Sequence, residues 1–548
     1  MRTRDELAEL MRQTAKRRRI VVLTELLKKA VSLYPNKRAI VCGSQAWTYS
    51  QFGDRVNRLS QGLLSLDVRK GDRVAILHHN CHRYLEAYYG VMQIGAILVP
   101  MNYRLSPSDW LYIIEDSGAK ALIAERQFHD AVESVADSVS DWCRIIWAGH
   151  GEVGPGGALW EGGYEELLTR ARDSAPAPVE IDGDDIAQIY YTSGTTGRGK
   201  GVMLSHRNVY VHALGTIAEF KLDDCDVWIH AAPLFHLADG WATWSITWVG
   251  GVHVLVSEFR ERAVLESIER EGVTITNLVP TMLNALVNYS QVARYDCSSL
   301  RLLLSGGAPI AQKTVERVME TFGCDYAQTY GMTETSPYLT VSLLKQHLRE
   351  LSEQEQMRFR TSTGRPFITI ELRVVNEAGE DVKADGREIG EIIVRGDSVT
   401  TRYWNLPQLT EEAFEDGWLR TGDMAVMDQE GYVTIVDRKK DMIITGGENV
   451  CSIEVENVLY SHPAVLEAAV IGVPDEKWGE AVKANVVIKE GEQAGEEEVI
   501  QFCKERMARF KAPKSVDFLD ELPKTGSGKI SKKGLREHHW TGRTRRVH

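Results

Sequence analysis

Short apolar runs alternate with helix-like stretches over residues 226–328, and this alternation strongly limits the folds that the chain can adopt. The apolar runs are DVWIHAAPL, VHVLV, VTITNLV and LRLLLSG. Strands that alternate with helices form βαβ units, and strands that are apolar throughout are typical of parallel sheets covered on both faces. A similar alternation begins near RVAIL, residues 73–77. The sequence therefore predicts an α/β fold built on layers of buried parallel sheet.

The pattern of apolar residues changes after Gly364, where ITIELRVV, GEIIVRG and GYVTIVDR predict a β-rich subdomain.

Because 548 residues are too many for one core, we expect separate domains. We predict a large N-terminal domain over residues 1–437, a hinge at 438–440 and a small α+β C-terminal domain over 441–548. The Gly- and Pro-rich stretch 152–177 is interpreted as a loop that joins two halves, and the C-terminal REHHWTGRTRRVH as a mobile tail.

Charge and composition exclude several classes of function. The formal net charge of −13 argues against a protein that wraps nucleic acid, which needs a basic surface. The sequence contains no apolar run long enough to span a membrane and no apolar N-terminal segment typical of a secretory signal. The eight cysteines form no CxxC pair, so we expect neither a zinc site nor a disulfide framework, and a reducing cytoplasm fits.

The strongest local motif is YYTSGTTGRGKG, residues 190–201. A strand-like segment leads into a loop rich in Gly, Thr and Ser that also contains Lys200. Glycines let backbone N–H groups approach phosphate oxygens, hydroxyls donate further hydrogen bonds, and the lysine supplies positive charge. The stretch nearly fits a P-loop, but Gly201 stands where a P-loop needs Ser or Thr. The motif therefore indicates a phosphate-binding loop of another kind.

This motif resembles the signature of the adenylate-forming superfamily, which includes acyl-CoA synthetases, beetle luciferases and peptide-synthetase adenylation domains. Further motifs of that superfamily follow in the same order, and the resemblance covers roughly residues 20–540. They are SGGAPI (305–310), QTYGMTET (328–335), RTGD ending at Asp423, DRKKDMIITGGENV (437–450) and PKTGSGKISK (523–532).

The resemblance implies an ATP-dependent acyl-CoA synthetase, which first makes an acyl-adenylate and then transfers the acyl group to coenzyme A. A carboxylate must attack the α-phosphate of ATP, and because both are anions the protein must supply cations and fixed donors. Lys529, His236, Thr195 and Glu334 would be catalytic, and Glu334 and Thr195 would hold Mg²⁺. The residues that the resemblance assigns to the nucleotide are Thr192, Ser193, Gly194, Thr195, Thr196, Gly197, Lys200, Gly307, Ala308, Pro309, Gln328, Thr329, Tyr330, Gly331, Met332, Thr333, Asp423, Arg438 and Lys529.

The second half-reaction needs a different arrangement, because a thiol must now reach the acyl carbonyl. In the superfamily the C-terminal domain rotates about a hinge, here Lys440. The rotation would move Lys529 away and bring up Gly446, Gly447 and Glu448 as part of the CoA tunnel. The residues after GGENV, Cys-Ser-Ile, depart from the aromatic-Pro pair of many members, so we expect a slightly different geometry in this loop.

The segment PLFHLADGW, residues 233–241, resembles the one whose histidine lies at the mouth of the acyl pocket. Trp241, Trp244 and Trp248 follow at helical spacing, on a stretch predicted as a helix over 238–248. Three tryptophans on one face are typical of a core, but in fatty-acyl relatives a tryptophan here gates the tunnel. We therefore expect a medium-chain or small substituted acid, while Asp239 is a weak candidate to bind an α-amine. The predicted acyl-pocket residues are His236, Trp241, Trp244, Gly306 and Gly331.

Two other functions stay open at this stage. A stand-alone adenylation enzyme that loads a carrier protein would use the same pantetheine thiol, although the chain contains no fused carrier domain. A binding protein that holds ATP or acyl-adenylate without turnover is disfavoured, because the residues expected for catalysis are present. The resemblance is also compatible with a homodimer.

The first prediction concerns Lys529, which should serve only one of the two domain poses. We expect Lys529→Ala to abolish formation of the acyl-adenylate from ATP and to leave much of the thioesterification of supplied acyl-adenylate, since the ammonium would stabilise charge only in the adenylation step. The two half-reactions are measured separately. Equal losses in both would contradict the assignment.

Overall fold

The computed structural model describes residues 22–139, 141–149, 163–172, 174–192, 199–308, 310–524 and 530–540. The chain divides into two compact units. The first consists of Met1–Thr361, Phe367–Ile370 and Gly396–Thr410, and the second of Ser362–Pro366, Glu371–Arg395 and Glu411–His548. The hinge expected at 438–440 lies inside the second unit, and the division expected there stays a prediction.

A large, mainly parallel sheet forms the centre of the first unit. Its strands are β1 (Arg38–Cys42), β2 (Gln45–Thr48), β9 (Val227–His230), β10 (Val252–Leu255), β11 (Ile275–Asn277), β12 (Leu302–Ser305), β13 (Asp325–Gly331) and β14 (Tyr338–Val341). The order β13-β12-β11-β9-β10-β1 is parallel throughout, and β14 and β2 pair antiparallel with β13 and β1. The parallel sheet predicted from residues 226–328 is therefore confirmed.

A second sheet of the first unit carries the phosphate-loop motif. Its strands are β3 (Arg73–Leu77), β4 (Ile97–Pro100), β5 (Ala119–Glu125), β6 (Arg144–Ala148), β7 (Ile186–Thr192) and β8 (Lys200–Ser205). They follow the order β6-β5-β3-β4-β7-β8 and pair in parallel except for β7 with β8. Because Thr192 lies opposite Lys200 in that antiparallel pair, the two ends of the motif are held side by side.

Helices cover these sheets with apolar faces. In α12 (Gln312–Phe322), for example, Val315, Val318 and Phe322 are buried along one face at helical spacing. None of the helices in the described ranges is both long and apolar enough to cross a membrane. The helices of the first unit are α1 (Leu23–Leu33), α2 (Tyr49–Ser65), α3 (His82–Gln93), α4 (Pro107–Ser117), α5 (His129–Ala136), α6 (Tyr164–Arg170), α7 (His206–Phe220), α8 (Leu237–Gly240), α9 (Ala242–Val249), α10 (Glu261–Glu271), α11 (Pro280–Asn288), α12 (Gln312–Phe322) and α13 (Glu353–Arg360).

Two local expectations about this unit need correction. The stretch expected as a loop over 152–177 contains helix α6, because Leu167 and Leu168 are buried and the Tyr164 hydroxyl donates to Glu86 Oε2 at 2.7 Å. Residues 152–162 and 173 of that stretch lie outside the described residues. The helix expected over 238–248 is two helices, α8 and α9, with Trp241 between them.

The second unit contains two further sheets. One consists of β16 (Glu371–Val375), β17 (Gly390–Arg395), β18 (Phe414–Glu415), β19 (Trp418–Met427) and β20 (Val433–Arg438), and it matches the predicted β-rich subdomain. The other consists of β21 (Ile443–Thr445), β22 (Glu448–Val450), β23 (Val465–Asp475), β24 (Gly479–Ile488) and β25 (Ser515–Phe518). The remaining elements of the chain are β15 (Arg365–Pro366), α14 (Pro407–Ala413), α15 (Ser452–Tyr460), α16 (Glu496–Lys504) and α17 (Lys532–Glu537).

The expected mobile tail, residues 536–548, begins within ordered structure. Helix α17 includes Arg536, and the Trp540 indole donates to the carbonyl oxygen of Gly472 at 3.0 Å. Residues 536–540 are therefore packed against the C-terminal sheet, and 541–548 lie outside the described residues.

Candidate active site

Two neighbouring parallel strands bring the predicted SGGAPI and QTYGMTET motifs together. Ser305 at the end of β12 pairs with Gln328 in β13. A Cβ atom on Gly306 would lie 2.5 Å from Thr329 Oγ1, and one on Gly331 would lie 1.9 Å from the Pro337 carbonyl oxygen. Only glycine fits at these two positions, so the strand ends approach more closely than side chains would allow.

Hydrogen bonds fix the turn that follows β12. The Gln328 side-chain amide donates to the Ala308 carbonyl at 3.1 Å, and the Thr329 hydroxyl donates to the Ser305 carbonyl at 3.0 Å. Gly307 and Ala308 are exposed, and Tyr330 is half-buried. The structure thus brings together the nucleotide residues predicted from these two motifs, which are Gly307, Ala308, Gln328, Thr329, Tyr330, Gly331, Met332 and Thr333.

Lys200, Glu334 and Tyr403 form a compact polar cluster in the first unit. Glu334 lies in the short turn Thr333–Thr335 and is 3% exposed. Lys200 Nζ is 2.7 Å from Glu334 Oε1 and 2.9 Å from the Tyr403 hydroxyl, which itself donates to Glu334 Oε1 at 2.9 Å. The ammonium also lies 4.1 Å from the centre of the Tyr403 ring, a distance typical of a cation–π contact.

Tyr403 is a candidate site residue that the sequence analysis missed. Burial, and then the Glu334 carboxylate, raise the pKa of its phenol well above the usual range, so the group stays a hydrogen-bond donor. The backbone on either side of Tyr403 is also bonded to the segments that carry Glu334 and Lys200. Thr400 N–H donates to the Glu334 carbonyl at 2.7 Å, and Trp404 N–H donates to the carbonyl of Gly201, next to Lys200, at 2.8 Å. The tyrosine in RYW, residues 402–404, stands outside every motif quoted for the resemblance.

The chemistry of Glu334 fits the Mg²⁺ that the resemblance implies. Lys200 and Tyr403 both contact Oε1, so neither engages the second carboxylate oxygen, Oε2. Carboxylate oxygens are ligands that Mg²⁺ prefers, usually together with phosphate oxygens and water. Thr195, the other predicted metal ligand, lies outside the described residues.

The phosphate-loop motif is described only at its two ends. The Thr192 hydroxyl is buried and has no hydrogen-bond partner among the described residues. A buried hydroxyl without a partner costs free energy, and this one lies at the entrance of the loop, opposite Lys200. Ser193, Gly194, Thr195, Thr196 and Gly197 lie outside the described residues, as do Pro309 and Lys529.

His236 precedes α8 and is half-buried, with its ring 4.5 Å from that of Phe235. Trp241 and Trp244 are both fully buried. The Trp241 ring lies 4.9 Å from Trp228 and 5.3 Å from Tyr338. Asp239 is not available to bind an α-amine, because it is fully buried and both of its carboxylate oxygens accept hydrogen bonds from the protein.

In the second unit, Asp423 and Arg438 form a pair. They lie opposite each other on β19 and β20, with Arg438 Nε 3.0 Å from Asp423 Oδ1. The Asp423 side chain is 6% exposed and that of Arg438 is 55% exposed. The structure therefore joins a carboxylate and a guanidinium that the resemblance assigned to the nucleotide.

The predicted hinge segment is held by the last helix of the same unit. Arg536 of α17 donates to the Lys440 carbonyl at 3.1 Å and pairs with Asp441. Lys532 donates to the Ser452 hydroxyl at 2.6 Å, and that hydroxyl donates to Asp437 at 2.9 Å. Side chains of one helix are therefore linked to both ends of the segment 437–441, directly through Arg536 and by way of the Ser452 hydroxyl from Lys532.

The predicted CoA-tunnel residues form a tight hairpin turn. Gly446 and Gly447 connect β21 and β22 and have φ values of +60° and +84°, a pair of left-handed conformations that suits glycine in a two-residue hairpin. Gly446 N–H donates to the Trp478 carbonyl at 2.8 Å, and a Cβ on Gly446 would lie 2.7 Å from the Trp478 ring. Glu448 follows this turn and is exposed.

The two parallel sheets, the phosphate-loop motif and the buried Lys200–Glu334 pair define an α/β enzyme that binds a nucleotide. The profile of the AMP-binding enzyme family matches residues 27–404, and that of the AMP-binding enzyme C-terminal domain matches residues 454–529. The chain belongs to the AMP-binding enzyme family, and the resemblance found in the sequence is confirmed.

Named relatives and solved structures are similar over nearly the whole chain. A feruloyl-CoA synthase of an Amycolatopsis species is 39% identical over 503 residues, 92% of this chain and 96% of the relative. The 4-hydroxybutyrate–CoA ligase 2 of Metallosphaera sedula is 35% identical over 521 residues, 94% of each protein. The o-succinylbenzoate CoA synthetase of Bacillus subtilis, solved with its acyl-adenylate intermediate, has a TM-score of 0.80 and 32% identity and covers 93% of this chain and 98% of that one.

The polar cluster leads to a prediction about Tyr403. We expect Tyr403→Phe to weaken binding of Mg·ATP by about tenfold or more, because a hydrogen bond to a charged group contributes about 1.5–3 kcal/mol. The variant removes the bond to Glu334 and keeps the ring beneath Lys200. Isothermal titration calorimetry with a non-hydrolysable ATP analogue and Mg²⁺ measures the effect.

Tyr164→Phe is a matched control, since it also removes a buried tyrosine hydroxyl from a carboxylate, that of Glu86. This control should lower the melting temperature and leave nucleotide binding unchanged. Binding by Tyr403→Phe at wild-type strength would show that the hydroxyl does not orient Glu334.

Proposed function

We propose that the protein is an ATP-dependent carboxylate–CoA ligase. It joins an acid and ATP to give an acyl-adenylate and pyrophosphate, and then transfers the acyl group to CoA with release of AMP. The observation that carries this proposal is the buried cluster of Lys200, Glu334 and Tyr403 beside the ends of β12 and β13. It provides both a cation and a metal-binding carboxylate beside the motifs expected to bind the nucleotide.

Adenylation brings two anions together, and the proposed roles follow from that electrostatic problem. Lys200 would leave its pair with Glu334 to contact phosphate oxygens once these enter the site. Mg²⁺ on Glu334 would supply further positive charge to the same oxygens. Asp423 would accept hydrogen bonds from the ribose hydroxyls, held in place by Arg438. Lys529 would bridge the attacking carboxylate and the α-phosphate, as a compact point charge suits both.

Thioester formation would follow rotation of the C-terminal domain about Lys440. The turn at Gly446 and Gly447 supports this role. A Cβ on Gly447 would meet no atom within 4 Å, so its backbone is open to a ligand that approaches closely. An extended pantetheine arm can use such a backbone surface.

For the acid, we propose a medium-chain or small substituted carboxylic acid. The position of Trp241 supports an acid of this size, because its ring fills the space after His236 and packs against Trp228 and Tyr338. A bulky ring at this place shortens the room for an acyl chain. His236 would lie beside the carboxylate at the mouth of the pocket.

We also propose that the protein works in a reducing compartment such as the cytoplasm. All eight cysteines are free thiols, and six of them are buried. Free thiols persist where glutathione and thioredoxin keep them reduced.

A pyrophosphate-release screen over a panel of carboxylic acids, with ATP and Mg²⁺, tests the proposal. CoA and a phosphopantetheinylated carrier protein are then compared as acceptors for each active acid. Turnover with CoA supports the ligase, and turnover with the carrier alone would favour a carrier-loading enzyme. ATP binding without pyrophosphate release from any acid would favour a binding protein.

The hinge assignment gives a further prediction. Lys440→Pro should spare acyl-adenylate formation and slow thioester formation, because a hinge residue changes φ between poses and proline fixes φ near −65°. Lys440→Ala, which keeps the backbone free, is the control and should retain both half-reactions. An overall ligase rate equal to the wild type in Lys440→Pro would place the hinge elsewhere.

A substitution of Trp241 tests whether this residue limits the length of the acid. We expect Trp241→Ala to shift the preference toward longer acids, by roughly fourfold in kcat/KM for each methylene newly accommodated. Because the ring is fully buried, the variant should also lose about 3–5 kcal/mol of stability. The measurements are the chain-length profile with straight-chain acids and the melting temperature.

Trp110→Ala removes another buried tryptophan, from the core of the second sheet, and serves as the control. It should lower the melting temperature and leave the chain-length profile unchanged. If Trp241→Ala gives the same result as this control, Trp241 is a core residue and sets no limit on the acid.

A further inference from the structure

A continuous chain of buried polar side chains runs through the core of the first unit next to His236. Asp239 Oδ2 is 2.8 Å from His230 Nδ1, His230 Nε2 is 2.9 Å from His253 Nδ1, and His253 Nε2 is 2.9 Å from Thr247 Oγ1. All four residues are fully buried. Such a chain is costly to bury unless each member is satisfied, and here every link has good hydrogen-bond geometry.

The chain connects the large parallel sheet to the two short helices that follow His236. His230 is the last residue of β9 and His253 lies in β10, whereas Asp239 lies in α8 and Thr247 in α9. Asp239 stands three residues after His236. Its other oxygen, Oδ1, accepts a hydrogen bond from the Trp228 indole at 3.0 Å, so its carboxylate binds two side chains of β9.

The middle of this chain is an uncharged imidazole. Burial and the neighbouring His230 hold the pKa of His253 well below its usual range, so His253 is neutral. A neutral imidazole has one donor and one acceptor nitrogen. His253 therefore links His230 to Thr247 by accepting a hydrogen bond at one ring nitrogen and donating one at the other.

Other contacts hold the same segment from its remaining sides. The Asn277 amide of β11 donates to the Ala238 carbonyl at 2.7 Å, and the Tyr88 hydroxyl donates to the Leu234 carbonyl at 2.8 Å. A Cβ on Gly240 would lie 2.7 Å from that hydroxyl. These contacts reach the backbone of 234–240, whereas the Asp239 side chain links α8 to β9.

We propose that Asp239, through its pair with His230, is a positioning residue that fixes α8 and thereby orients His236 for the acid substrate. The inference rests on the proposed ligase function, in which His236 lies beside the carboxylate. A buried polar pair of this kind is a weak source of stability, because desolvation offsets much of the attraction. The pair nevertheless holds α8 and β9 in one relative position. A residue at the mouth of a substrate pocket, such as His236, requires a fixed position of this kind.

Asp239→Asn tests the proposal, because it keeps the shape of the side chain and removes its charge. We expect the KM for the acid to rise about tenfold or more, since small displacements of a positioned group have effects of this order. The KM for ATP should stay within about twofold. The asymmetry between the two substrates separates positioning from a general loss of folded enzyme.

Asp226→Asn is the matched control. Asp226 is also a buried carboxylate of the same sheet, but it precedes β9 and pairs with Arg301 at 2.9 Å, at the end of the strand opposite to His230. This variant should lower the melting temperature and leave both KM values unchanged. Equal changes in the two KM values of Asp239→Asn, or no change in that for the acid, would overturn the proposal.

A second measurement does not depend on turnover. Diethyl pyrocarbonate modifies histidines, and mass spectrometry gives its rate at His236 relative to the exposed His347. The ratio should rise in Asp239→Asn and not in Asp226→Asn, and an unchanged ratio would count against the proposal. If the wild type turns over none of the acids, the proposed function fails, and this ratio alone decides the inference.

Trp228→Phe provides a milder variant for the case in which Asp239→Asn does not fold. It removes the indole bond to Asp239 Oδ1 together with the larger part of a buried ring that packs against Trp241, and it keeps an aromatic ring in the core. The KM for the acid and the modification ratio should change in the same direction as in Asp239→Asn, by about threefold. A stable Trp228→Phe protein with wild-type values for both would also contradict the proposal.

Discussion

Parallel pairing of β13, β12, β11, β9 and β10 is the constraint on which the first unit depends. In a parallel sheet the carboxyl ends of all strands meet at one edge, and ligands of open α/β sheets bind there. The turn after β12, the end of β13 and the segment after β9 that leads to His236 therefore share one edge. Gly306 and Gly331 then decide how closely the strand ends approach, because the backbone of the neighbouring segment occupies the space of a side chain.

At this edge the protein keeps charged groups in pairs. Glu334 is almost fully buried and is satisfied by an ammonium and a phenol, and Asp239 is fully buried and is satisfied by an imidazole and an indole. Each pair avoids the cost of an isolated buried charge. The two pairs differ in whether a member can leave its partner. Lys200 is half-buried and can move to another anion, whereas the Asp239 pair is enclosed and can only hold its position.

In the second unit, hydrogen bonds and ion pairs of charged side chains connect helix α17 to the segment 437–441. Helix α17 follows the motif that contains Lys529, and its Lys532 and Arg536 contact the segment 437–441, through Ser452 in one case and directly in the other. Lys532 is also 2.7 Å from Glu456, which is buried enough for its pKa to be raised. The segment proposed as a hinge and the helix after the proposed catalytic lysine therefore belong to one hydrogen-bonded network.

The sequence by itself determined the parallel sheet over 226–328 and the enzyme family, and it predicted Lys200 and Glu334 as site residues. It could do so because strand and helix periodicity, glycine-rich turns and short motifs are local properties of the chain. It missed helix α6, whose short stretch gives a weak periodic signal. Only the tertiary structure decided that Tyr403 joins Lys200 and Glu334, 203 and 69 residues away, and that Asp239 lies against His230 and Trp228. Contacts at such separations follow from the packing of whole elements, which no local pattern of residues encodes.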